Sequence, residues 1–337
     1  SAHFNTVLYT GNGADNRSIT GVGFQPDWVW YKERNNAIDH RLVDSTRGAT
    51  KLLFSNDTDA EFTDANELQA FESDGFQVGD DGSINGNNDT YVAWNWKANG
   101  GTTSSNTDGS ITSTVQANTT AGFSIVTYTG TGSNATIGHG LGATPKTYWI
   151  KRRSSGTADW YIYHSSIGAT KNLRLNKTNA SSTDSGIFND TEPTSSVFSL
   201  GSSFSNTSSK DYVAYCFAEK QGYSKFGTYT GNGSSDGPFA YTGFKSAWLM
   251  IKRTDSTNHW TLQDNARESS NVVQKFLLAN EDDAEDTSAG QDLDFLSNGF
   301  KIRNSNTRQN ASGGSYIFMA FAEHPFVSSE GVPVTAR

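Results

Sequence analysis

One stretch occurs three times in this chain. Residues 91–98 read Tyr-Val-Ala-Trp-Asn-Trp-Lys-Ala, residues 212–219 Tyr-Val-Ala-Tyr-Cys-Phe-Ala-Glu, and residues 316–323 Tyr-Ile-Phe-Met-Ala-Phe-Ala-Glu. Each is an aromatic-rich run of β-propensity residues, the pattern of a buried strand. Upstream of each, at a near-equal distance, lies a second motif: Leu-Tyr-Thr-Gly-Asn-Gly at 8–13, Thr-Tyr-Thr-Gly-Thr-Gly at 127–132 and Thr-Tyr-Thr-Gly-Asn-Gly at 228–233. A chain of 337 residues with such a triplication is expected to fold as three alike units.

Each unit reads as a series of short strands divided by Gly, Asn, Asp and Ser turns. Residues 27–34, 144–153 and 244–253 are aromatic strands, each carrying a lysine (Lys32, Lys151, Lys252) near its end. That lysine is expected to snorkel toward solvent. Gly11-Asn-Gly13 reads as a hairpin turn, and residues 64–72 are the one stretch that suits a short helix. The fold class expected is all-β, three tandem antiparallel β-sandwich domains of jelly-roll or concanavalin-like type. Repeat 1 occupies residues 1–97. A Gly/Ser/Thr/Asn linker spans 98–109, repeat 2 residues 110–220, and repeat 3, with a C-terminal tail, residues 221–337. Residues 220–224 are too short a join to let repeats 2 and 3 part, so these are expected to pack tightly. Unit 1 lacks a counterpart of the Ser110–Val115 strand, and the chain opens on Ser1, which suggests a processed or shortened start.

Composition narrows the function. Only 34% of residues are hydrophobic, yet there are 20 Phe, 13 Tyr and 8 Trp, which suits thin sandwich cores and argues against disorder. A net charge of −9 opposes nucleic-acid binding, which needs cations against phosphates. No apolar run is long enough for a membrane helix, so no membrane insertion is expected. The single cysteine, Cys216, forbids an intrachain disulfide and reads as a small buried hydrophobe.

Taken together, Tyr-Thr-Gly-Asn-Gly, Gly-Phe-x-Pro-x-Trp-x-x-x-Lys, Asp-Ser-x-Arg-Gly-Ala-Thr-Lys and the closing Phe-Ala-Glu-His-Pro-Phe-Val-Ser-Ser-Glu-Gly-Val-Pro-Val-Thr-Ala-Arg carry a resemblance. The chain resembles tandem-repeat virion proteins of tailed bacteriophages, common in marine phages and cyanophages, described as tail-fibre-like or concanavalin-like (lectin/glucanase-type) sandwiches. The resemblance spans essentially the whole chain, and its C-terminal segment is the most specific part, implying that Arg337 is a natural end. It implies a structural protein of the virion surface, in a phage tail or capsid appendage, synthesised in the bacterial cytoplasm. The expected function is non-enzymatic adhesion to a host-surface polysaccharide. The alternatives are a decoration protein packing only against other virion proteins, and a glycan-degrading tailspike-like enzyme. Fibre proteins usually form homo-oligomers, often trimers.

A glycan site needs aromatic faces with Asp, Asn or Arg beside them. Trp160 and Trp260 fall at matching places in units 2 and 3, where unit 1 has His40. The strands that follow end in Asp44 and Arg47, in His164 with Ile167 in place of the arginine, and in Asp264 and Arg267. These seven residues, Asp44, Arg47, Trp160, His164, Trp260, Asp264 and Arg267, are the expected glycan-binding set. The competing reading makes the rings core and the Asp–Arg pairs loop ties. Trp28, Trp30, Trp94, Trp96, Trp149 and Trp248 read as core. No cofactor is expected, and no metal site; Ca²⁺ is the only ion with suitable oxygen-rich loops, at Asn56–Glu61, Asp80–Asp89 and Glu281–Asp286, none in EF-hand spacing. Catalytic residues are not expected: no carboxylate pair recurs at matching strand positions.

Overall fold

The computed structural model describes residues 2–324; the C-terminal tail lies outside the described residues. Among the described residues the fold is all-β, built from antiparallel sheets with three one-turn helices. Each unit pairs a large sheet with a small one. In every large sheet the opening strand (Phe4–Thr10, Phe123–Thr129, Ser224–Thr230) pairs with the closing strand (Thr90–Trp96, Asp211–Phe217, Ser315–Ala322). The closing strand then pairs with a central strand (Trp28–Glu33, Thr147–Arg152, Ser246–Arg253), and the central strand with a fourth (Arg41–Asp44, Tyr161–His164, Trp260–Asp264). The repeated stretch is thus an interior strand of each large sheet, paired on both sides.

The Tyr-Thr-Gly motif has a structural cause. Its tyrosine stacks on the tyrosine that begins the closing strand, at ring separations of 5.0 Å for Tyr9–Tyr91, 5.1 Å for Tyr128–Tyr212 and 4.9 Å for Tyr229–Tyr316. Each hydroxyl donates to a backbone carbonyl of the loop before that strand: Tyr9 to Ile84, Tyr128 to Ser205, Tyr229 to Gln309. The glycine that follows touches the same loop. A Cβ on Gly11 would sit 2.0 Å from the Gly86 carbonyl oxygen, and one on Gly130 2.3 Å from that of Thr207, so no other residue fits. Gly11–Gly13 is not a hairpin: the chain there leaves the large sheet for Arg17–Thr20, which pairs with Gly75–Val78 of the small sheet. The stretch expected to be helical forms strand Leu68–Glu72 instead, because Phe71 pairs with Phe76 across a tight hairpin.

The two faces of each large sheet bury different cores. The inner face packs on its own small sheet, giving three separate clusters, among them Val29, Tyr31, Phe76 and Val78 in unit 1. The opposite faces of all three large sheets meet in one further core that contains all eight tryptophans. Trp28 of unit 1 stacks on Tyr215 of unit 2 at 4.5 Å, Trp30 meets Trp149 of unit 2 at 6.0 Å, and Trp94 meets Trp248 of unit 3 at 6.3 Å. Burying one indole contributes roughly 4–6 kcal/mol of gross transfer energy. No unit can expose this face alone at tolerable cost, so the repeats share a centre rather than hang as beads.

The linker composition of residues 98–109 does not make a free tether. Ser104–Asn106 pairs with Ser113–Asn118, which pairs in turn with the opening strand of unit 2. The backbone N–H groups of Ala98, Gly100 and Gly101 all donate to the buried Asp27 carboxylate at 2.7–2.9 Å, and Ser45 Oγ donates to it as well.

Candidate functional site

The seven residues expected to bind glycan lie in the joints between units, not on the surface. Trp160 and Trp260 are 0% and 1% exposed. Asp44, Arg47, His164, Asp264 and Arg267 are buried as well, which corrects the expected sugar platform. The contacts they make run in cyclic order, as in a ring with approximate threefold symmetry.

Trp160 Nε1 of unit 2 donates to the Phe54 carbonyl of unit 1 at 2.7 Å, and Trp260 Nε1 of unit 3 to the Arg174 carbonyl of unit 2 at 2.9 Å. His40 of unit 1, in the same place, abuts the Leu278 backbone of unit 3. The backbone N–H groups of His40, Trp160 and Trp260 are held by Asn56, Asn176 and Asn280, each in the loop after the strand that pairs with the fourth (Lys51–Phe54, Lys171–Arg174, Leu277–Leu278). One stretch considered for calcium, Asn56–Glu61, therefore begins with a residue that anchors a joint, and another, Glu281–Asp286, follows directly on one.

The polar pairs follow the partner across the joint. Asp44 Oδ2 accepts the Tyr215 hydroxyl of unit 2 at 2.7 Å, while Arg47 donates to Asp44 and to Tyr215. Asp264 Oδ2 accepts from Trp94 Nε1 of unit 1 at 3.1 Å, and Arg267 lies over the Trp94 ring. At the third joint the closing strand presents Met319, which can offer neither donor nor hydroxyl; His164 of unit 2 shares a small void with it, and Ile167 packs against the shared core to which Met319 belongs. The Ile167 departure thus matches its apolar partner. Burial lowers the His164 imidazole to about 4, consistent with a neutral ring in that setting.

A second tier of ion pairs closes the first two joints. Glu61 bridges Arg47 of its own unit and Arg153 of unit 2; Glu285 bridges Arg267 and Arg34 of unit 1. Burial pushes both carboxyls up, but the facing arginines outweigh it and hold them below their usual range. At the third joint Ser181 and Thr254 take the equivalent places without an ion pair: the Ser181 backbone N–H donates to the Thr254 carbonyl at 2.9 Å and the Ser181 hydroxyl to the same oxygen at 3.0 Å.

The recurring lysines are buried, not snorkelled. Lys151 Nζ donates to the Ala158 carbonyl and, across the joint, to that of Asp57; Lys252 Nζ donates to Asn258 and, across the joint, to Thr178. Burial lowers Lys151 and Lys252 to about 7 and Lys32 to about 8.

Three open clefts at equivalent positions on the rim of the ring are what the sequence reading missed. Cleft 1, about 420 Å³, is lined by Asp39, Phe54, Asp57, Asp59, Glu61 and Phe62. Cleft 2, about 270 Å³, is lined by Asn172, Arg174, Asn179, Ser182 and Thr257. Cleft 3, about 520 Å³, is lined by Phe276, Leu278, Asp283, Glu285, Ser288 and Arg308. The shared Ala60, Ala180 and Ala284 mark the same loop, preceded by Asp59, Asn179 and Asp283, all exposed at the cleft edge. Each cleft also borders a cation–π pair. In unit 1 Arg41 lies 5.4 Å over Phe54; in unit 2 the cross-strand positions are exchanged, with Arg174 5.7 Å over Tyr161. In unit 3 Arg308 lies 5.6 Å over Phe276. The signal for these clefts was present as the repeated Asn-x-x-x-Ala loop, but spacing alone did not separate joint residues from rim residues.

A family model described as a domain of unknown function, DUF7483, matches residues 1–325. The chain belongs to that family. No curated protein and no solved structure matches it. The matched region contains all three units and all three clefts.

Among the described residues, one carboxylate cluster has ligand atoms close enough for a metal: Asp64, Glu67 and Asp81. Glu67 is already engaged by Arg41 and the Tyr31 hydroxyl, and Asp81 caps the helix Gly82–Asn85. These ties account for two of the three groups.

Proposed function

We propose that this chain is a non-enzymatic surface protein of a tailed-phage virion that holds host-surface polysaccharide in its three rim clefts. The observation that carries the reading is the threefold recurrence of an exposed Asp or Asn beside one member at least of an arginine–aromatic pair. Phe54 lines cleft 1, Arg174 cleft 2, and Arg308 with Phe276 cleft 3, groups that can serve a sugar's apolar face or its hydroxyls. The motif resemblance to virion proteins supports the setting. The buried carboxylates Asp44, Asp264, Glu61 and Glu285 are tied to arginines, which suits scaffolding better than general acid–base work. Titration calorimetry of the whole chain with purified host-surface polysaccharide tests this. Binding that weakens at least about tenfold in an Asp59→Ala/Asn179→Ala/Asp283→Ala variant supports it, since three sites of modest affinity act together. Unchanged binding in that variant, or none in the parent, overturns it.

A purely architectural role is favoured by a different observation: most recurring charged and aromatic residues are consumed in closing the ring. On that reading a single copy supplies the threefold module that a fibre would otherwise obtain from three chains, and light scattering should report one chain per particle.

A further inference from the structure

The outer face of the small sheet in unit 3 departs from its two counterparts. On the edge strand Phe239–Tyr241, Ala240 points into the unit 3 core and its two neighbours point out. Phe239 is 45% exposed and Tyr241 61%. Register sets Phe239 opposite Lys301 and Tyr241 opposite Gly299. The same places hold Ser18 and Thr20 in unit 1, and Thr136 and Gly138 in unit 2. Two copies of the unit therefore fold with small or absent side chains there, so the fold does not need the rings.

Their setting points to a ligand. Ring carbons of Phe239 come within 2.8 Å of where a Cβ on Gly299 would be, and the Tyr241 ring lies close to Gly243, so both rings rest against glycine backbone. The charges nearby are paired: Lys301 with Asp236 at 2.7 Å and Arg303 with Asp294 at 3.5 Å. The patch is thus apolar and electrically neutral. Its exposed ring area is on the order of 200 Å², far below the ~800 Å² per partner of a stable protein interface. A narrow neutral ligand with apolar faces fits; a folded protein does not.

We propose that Phe239 and Tyr241 form a stacking platform for the pyranose rings of a neutral polysaccharide. The platform is a site of unit 3 alone and does not depend on the rim clefts. Affinity gel electrophoresis of the whole chain, with hydroxyethylcellulose, chitin oligosaccharide or dextran in the gel, tests it. The variant Phe239→Ser/Tyr241→Thr carries the residues of unit 1 and is expected to melt at the parent temperature. Retardation of the parent by at least one of the three, weakened about tenfold or more in that variant by loss of two stacked rings, supports the platform. The Asp59→Ala/Asn179→Ala/Asp283→Ala variant should keep the retardation, which separates the two sites. No retardation of the parent by any of the three, or equal retardation of the double variant, overturns it. So does a lower sedimentation mass of the double variant, which would assign the patch to a second copy of the chain.

Discussion

Replacing Arg47 by methionine tests whether the joint between units 1 and 2 is held as described. The Arg47 guanidinium donates to Asp44, to Glu61 at 3.0 Å, to the Leu42 carbonyl at 2.9 Å and to the Tyr215 hydroxyl at 3.2 Å, with its side chain and that of Asp44 fully buried. Removing it leaves Asp44 charged and out of water, its carboxylate held only by the Tyr215 hydroxyl and the residue 47 backbone N–H. Breaking one partner of such a pair costs about 3–5 kcal/mol. Because the eight tryptophans form one core across the units, unfolding in guanidinium should be a single transition, and the loss should appear as a lowered midpoint at unchanged slope. The third joint supplies the rescue. Asp44→His and Tyr215→Met added to Arg47→Ile reproduce the His164, Ile167 and Met319 set, which needs no charge. Well-packed apolar replacement of a buried pair is close to neutral, so the triple variant is expected within about 1.5 kcal/mol of the parent. A loss below about 1 kcal/mol in Arg47→Met would mean that the pair behaves as a solvent-exposed one. A triple variant no more stable than the single would refute the matching of pairs across joints.

Two further outcomes follow from the buried groups. Lys151 and Lys252 are lowered to about 7 from an ordinary 10.5, so between those values the unfolded chain binds protons that the native chain does not. Stability from these lysines therefore increases from about pH 7 toward pH 10 and not below, and Lys252→Met should flatten that increase in denaturation series run across the range; an identical pH slope would refute it. Asp27→Ala should cost about 2–3 kcal/mol and speed hydrogen exchange at residues 98–101, because three backbone amides lose one carboxylate; exchange at the parent rate there would show that the strap holds without it.

Local pattern carried the number of units, the all-β class and the strand positions, because alternation and turn chemistry act within a few residues of each other. The tyrosine–glycine motif and the buried Cys216 were legible for the same reason. The partnership of faces was not. Trp160 at the head of a strand beside polar loops reads alike whether it faces solvent or another unit, and Asp44–Arg47 looks the same as a loop tie or as half of a joint. Ile167 read as a defect, yet it packs against the shared core to which another repeat contributes Met319. Sequence determined three copies of a sandwich and what each could bury; only the tertiary structure decided that their tryptophan faces close on one another. The physical reason is that a sheet has two faces of similar apolar character, and which one meets water is set by contacts made far along the chain.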